Sequence, residues 1–66
     1  MANEKTDRLA LSVTEAAALL GVSRPTVYKL IRRDGFPAFK IGSRTLISRV
    51  GLADWVQQQA ANGEVS

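Results

Sequence analysis

Apolar residues fall into four short bursts separated by polar punctuation, and the bursts differ in period. In the first, Ala16, Leu19 and Leu20 share a helical face with Val13, and Ala17 beside them is small enough to let a second helix approach closely. Ser12-Val-Thr-Glu15 opens this burst as a capping box, with Ser12 accepting from the Glu15 amide and Glu15 reaching back. Gly21 is expected to end the helix in a left-handed conformation. The second burst, Val27, Leu30 and Ile31, again has helical spacing. Ser23 caps it and Pro25 lies in its first turn, where a missing N–H costs nothing. Asp34-Gly35 stops the helix, and Phe36 must be extended because Pro37 follows.

The period then changes. Residues 38–48 read as a hairpin, Ala-Phe-Lys-Ile and Thr-Leu-Ile around Gly42-Ser43-Arg44. A three-residue loop is the preferred reading, since it places Phe39, Ile41, Thr45 and Ile47 on one face and Lys40 on the other. A two-residue turn at Gly42-Ser43 would instead pair Phe39 with Leu46. Ser48 can cap a last helix in which Leu52, Trp55 and Val56 recur at helical spacing, with a polar end fraying into Asn62-Gly63. Leu9 to Leu11 suits a short extended segment. The fold class expected is mainly α with a small β-hairpin, a winged helix-turn-helix of three helices plus wing. The domain spans residues 9–59, between a polar N-terminal tail (1–8) that lacks periodicity and is expected to be disordered and a flexible C-terminal tail (60–66). Its expected core is Val27, Leu30, Ile31, Phe39, Ile47, Leu52 and Trp55, with Trp55 sealing the helices against the wing.

Length and composition narrow the chemistry. A chain of 66 residues makes one small domain, and with no cysteine or histidine neither disulfides nor a thiolate or imidazole metal site can brace it. The first residues are unlike a signal peptide and no apolar run approaches a membrane span, so a cytoplasmic protein is expected. Catalysis needs positioned acids, bases or nucleophiles, and the carboxylates here are scattered at caps, tails and stops. No enzyme, no metal and no cofactor are expected.

Charge distribution is the sharper signal. Nine Lys and Arg against six Asp and Glu give +3, and between Arg24 and Arg49 seven cations face a single acid, Asp34. On the second helix Pro25, Lys29 and Arg32 lie opposite the apolar face, with Thr26 and Arg33 on one flank and Tyr28 on the other. A bare solvated face would more often mix both signs. Two helices joined by a short glycine turn, the second cationic, are how many small proteins place a helix in the major groove. Double-stranded DNA is therefore the expected partner. Arg24 suits bidentate contact with guanine, and Ser23, Pro25 and Thr26 suit hydrogen bonds or contact with a thymine methyl. Lys29, Arg32, Arg33 and the Tyr28 hydroxyl suit phosphates. Lys40, Ser43, Arg44 and Thr45 at the wing tip could follow phosphates or enter a narrow minor groove.

Thr14-Glu-Ala-Ala-x-Leu-Leu-Gly-Val-Ser-Arg-x-Thr-Val-Tyr-x-Leu-Ile-Arg32, then Gly35-x-Pro-Ala-x-Lys-Ile-Gly-x-Arg44, Ile47 and Leu52-x-x-Trp55, resembles the excisionase-type helix-turn-helix proteins, a winged-helix branch akin to the MerR DNA-binding domain. The resemblance runs from about residue 9 to 58. It implies a DNA-binding protein acting with an integrase in phage or mobile-element excision, with a small transcriptional regulator as the alternative and a protein-interaction module as a lesser one. It also implies contact with an integrase, for which the polar tail from Gln57 to Ser66 is the expected place. Copies are expected to be monomers that assemble only on DNA. Two positions depart from the family pattern: Phe36 where a polar residue is common, and Gly51 where an acid usually supports the last helix's cap.

Overall fold

The computed structural model describes residues 8–63, so the tails expected at 1–8 and 60–66 lie outside the described residues except for Arg8 and residues 60–63. The chain runs β1 (Ala10–Leu11), α1 (Val13–Leu20), α2 (Arg24–Ile31), β2 (Ala38–Ile41), β3 (Arg44–Ser48) and α3 (Arg49–Asn62). The strands form one antiparallel sheet in the order β1-β3-β2. α3 continues to Asn62, past the domain edge expected at residue 59, and Gly63 caps it in the left-handed region.

Each helix boundary has a local cause. Ser12 Oγ accepts from the Glu15 N–H at 3.0 Å while the Ser12 N–H donates to Glu15 Oε1 at 2.9 Å, the reciprocal capping box. Arg8 extends this cap, its guanidinium 2.8 Å from Glu15 Oε2. Gly21, at φ +75°, donates to the Ala17 carbonyl, and the Val22 N–H donates to the same oxygen at 3.0 Å. Those bonds turn the chain within three residues into α2, where Ser23 Oγ accepts from the Thr26 N–H. Ala16 and Ala17 are buried, leaving α1 free to lie close against its neighbour.

The core lies between the helices and one face of the sheet. It comprises Leu11, Val13, Ala16, Ala17, Val27, Leu30, Phe36, Ile47 and Leu52, with Leu20, Ile31, Ala38 and Trp55 packed against it. Ile47 is fully buried because β3 is the central strand, paired with Leu11 on one side and Ala38 on the other.

The wing differs from the preferred reading. Ile41 pairs with Arg44 and Phe39 with Leu46, so the loop is the two-residue turn Gly42-Ser43. Gly42 takes φ +63° and Ser43 is not left-handed, the sign pattern of a type II′ turn, which suits the twist of adjoining strands. Opposed residues share a face, so Ala38, Lys40, Thr45 and Ile47 line the core side and Phe39, Ile41, Arg44 and Leu46 the outer side. Phe39 is consequently 40% exposed rather than core. Phe36, 8% exposed, fills that role instead, its ring edge-on to Trp55 with centroids 5.0 Å apart. Trp55 thus seals the helices against the residue leading into the wing.

Two further positions differ from the sequence reading, and a third gains a structural reason. Leu19 is 65% exposed, since the buried stripe of α1 follows positions 13, 16, 17 and 20 and Leu19 lies about a quarter-turn aside. Val56 is exposed while Leu52 and Trp55 carry the inner face of α3. At Gly51 a Cβ would stand 2.7 Å from the Pro37 Cβ, so the missing acid reflects close approach of α3 to the wing's lead-in. The cap survives without it, Ser48 Oγ accepting from the Gly51 N–H at 3.0 Å.

Candidate nucleic-acid interface

α2 presents its cations because its inner face is so completely used. Val27 and Leu30 are buried and Ile31 packs beside them, which leaves Arg24, Pro25, Tyr28 and Lys29 exposed. Tyr28 is 47% exposed, and an amphipathic side chain of this kind can rest its ring on the surface with the hydroxyl in solvent. Helical geometry ends at Ile31: Arg32 is the C-cap, and its N–H and that of Arg33 donate to the Lys29 and Leu30 carbonyls. Arg33 therefore belongs to the turn after α2 rather than to a helix flank, still exposed and still one turn beyond Lys29.

Two candidates for base contact have part of their capacity already used. Ser23 Oγ accepts the Thr26 amide and lies 2.9 Å from Thr26 Oγ1. Thr26 is half-buried. The cap therefore orders both hydroxyls at the N-terminus of α2, and Arg24 and Pro25 project beyond them as the exposed side chains of the first turn. Unoccupied N–H groups and the helix dipole favour an anion at that end.

At the wing tip Lys40, Ser43 and Arg44 are exposed and Thr45 is half-buried. The two-residue register separates the cations: Lys40 shares a face with Thr45, and Arg44 shares the opposite face with Ile41. A tip with one cation on each side can meet both walls of a narrow groove. Sequence reasoning missed Ile41 in this setting, 61% exposed beside Arg44. The glycine at the first turn position was the signal that could have found it.

No acid among the described residues forms an ion pair with this surface. Among the described residues the ion pair formed is Arg8–Glu15, and Arg24, Lys29, Arg32, Arg33, Lys40 and Arg44 take part in none. Glu15 itself is held below the ordinary carboxylate range, first by the Ser12 backbone N–H and further by Arg8, with partial desolvation opposing them. The described residues contain no group of His, Cys, Asp and Glu able to hold a metal ion, and no helix among them is long and apolar enough to cross a membrane.

An exposed cationic helix held against a short partner helix, with a cationic hairpin beside them, defines a winged helix-turn-helix domain. Residues 10–60 match the helix-turn-helix domain family, and the chain belongs to it, a family of excisionase-like DNA-binding domains that are typically non-enzymatic. No curated protein and no solved structure matched the chain.

Proposed function

We propose that the domain binds duplex DNA sequence-specifically and serves as an excisionase, directing a partner integrase towards excision. The observation that carries the reading is the set of six exposed cations on α2, its C-terminal turn and the wing, none neutralised by an ion pair among the described residues. α2 enters the major groove from its capped end, where Arg24 addresses guanine O6 and N7 and Pro25 a neighbouring methyl. Tyr28, Lys29, Arg32 and Arg33 hold the flanking backbone, and Lys40, Ser43, Arg44 and Thr45 follow it through the wing. The free protein is a monomer, and neighbouring copies meet only on repeated sites.

Fluorescence anisotropy against salt tests the binding directly. With four to six phosphates neutralised, the log–log slope of affinity should be roughly −4 to −5, and a slope near zero removes DNA binding. Arg24→Ala should cost about 1–3 kcal/mol on the preferred site and relax one base pair, whereas Lys29→Ala should weaken all sequences alike. Excision is tested by strand exchange with an integrase on a supercoiled substrate. A bound site that changes promoter output without stimulating excision would replace the excisionase role by transcriptional control.

A further inference from the structure

Beside the DNA-facing surface of α2 lies a cleft of about 650 Å³, within the size range of pockets that take small ligands or side chains. Its apolar part is made by Leu20, Val22, Leu30 and Trp55, from the end of α1, the turn, α2 and α3. Its rim carries Lys29 and Arg33, one turn apart, and neither forms an ion pair among the described residues. A second apolar groove, between α1 and α3, differs in its polar groups. Glu15 there is paired with Arg8, and Arg49 Nε donates to the Arg8 carbonyl.

We propose that this cleft is a docking site for a short acidic peptide segment of a protein partner, one that carries a large apolar side chain between its carboxylates. Charge complementarity selects the acids: two unneutralised cations on a half-enclosed apolar surface favour a carboxylate more than they would in open water. Phosphates of a duplex could satisfy Lys29 and Arg33 but would leave Val22 and the exposed part of Trp55 uncovered. A purely apolar segment would leave the cations facing it without a counter-charge. An acidic segment bearing one apolar anchor meets both needs, with the anchor against Trp55 and its neighbours. Because Lys29 and Arg33 are also proposed phosphate contacts, docking and DNA binding should oppose one another. That antagonism rests on the DNA reading, whereas the docking site does not.

Trp55 is the sole tryptophan in the chain and lines the cleft, so its emission reports occupancy without a label. The intact protein is titrated with the capped hexapeptide Asp-Glu-Leu-Phe-Glu-Asp, with an acidic control in which Ser-Gly replaces Leu-Phe, and with a Lys-flanked Leu-Phe control. A saturable change is expected with the first peptide, at least tenfold weaker with either control, and weakened at least tenfold by Lys29→Gln with Arg33→Gln. These exposed side chains are dispensable for folding, which circular dichroism checks, and the separate variant Val22→Ser should weaken the same peptide several-fold. Absence of saturation, an equal response to the acid-only peptide, or equal binding of the Lys-flanked peptide overturns the site. None of these titrations contains DNA, so they decide the docking site whether or not the protein binds a duplex. Adding a bound duplex then tests the antagonism: peptide should raise the apparent Kd for DNA, and an unchanged Kd refutes the coupling.

Discussion

In the helix pair, boundaries are set by residues three or four apart: Ser12 with Glu15, Gly21 with Ala17, Ser23 with Thr26. In the wing, the decisive contacts join residues far apart in sequence, such as Leu11 to Ile47 and Phe36 to Trp55. A cap is satisfied within its own turn and changes little with what packs beyond it. A strand's inner face is chosen by register, and one step of register exchanges every side chain between core and solvent. The two halves of this small domain therefore respond differently to substitution.

The largest expected effect contrasts two phenylalanines that flank Pro37-Ala38. Phe36→Ala removes a buried ring packed on Trp55 and should cost about 3–5 kcal/mol, a large part of what a domain this small possesses. Phe39→Ala, on the outer face of the wing, should change stability by less than about 1 kcal/mol. Urea unfolding followed by circular dichroism measures both. Equal losses would mean that Phe39 is turned inward and that the three-residue loop is the true register.

Gly51 sharpens the contrast, because helix propensity and packing predict opposite signs there. In an open helix position, Gly→Ala stabilises by roughly 0.5–1 kcal/mol. Here the new Cβ would meet the Pro37 Cβ at 2.7 Å, a ring atom that moves only with the backbone. Overpacking of that kind costs about 1–3 kcal/mol, so Gly51→Ala should destabilise on balance. A higher urea midpoint for the variant would show that α3 and the wing's lead-in have room between them for a methyl group.

What is legible in the sequence follows the same division. Ser12, Gly21, Ser23 and Ser48 announce their boundaries because capping chemistry is read within one turn, and the α2 cations are visible because Val27, Leu30 and Ile31 fix the opposite face. Phe39 reads wrongly as core because Phe36 and Phe39 have equal claims until Trp55 is positioned. Leu19 reads wrongly as inward because an eight-residue helix gives too few turns to centre an apolar stripe. The cleft of Val22, Lys29, Arg33 and Trp55 is invisible in the sequence because it joins four segments. The separation of Lys40 from Arg44 across the tip needs the register, although Gly42 before Ser43 already favours a II′ turn.

The smallest expected effect lies wholly within the helix pair and separates its two caps by pH. α1 has Glu15 in its first turn, whereas α2 has no acid there, so only the first cap should titrate. The Ser12 N–H and Arg8 hold the Glu15 carboxyl below the ordinary value of 4.5 in the folded protein. The folded state thus binds fewer protons than the unfolded chain through that window. The cap's contribution is present above about pH 4.5 and is lost as pH falls from there through the folded value. Glu15 is partly solvated, so screening keeps the effect to about 0.5–1 kcal/mol. Glu15→Gln should lower stability by that amount at pH 7 and by less at pH 3, as the wild-type carboxyl takes up its proton. Ser23→Ala should cost about 1 kcal/mol, undiminished between the two pH values. If the Glu15→Gln difference persisted undiminished at pH 3, the carboxylate would not be what closes the first cap.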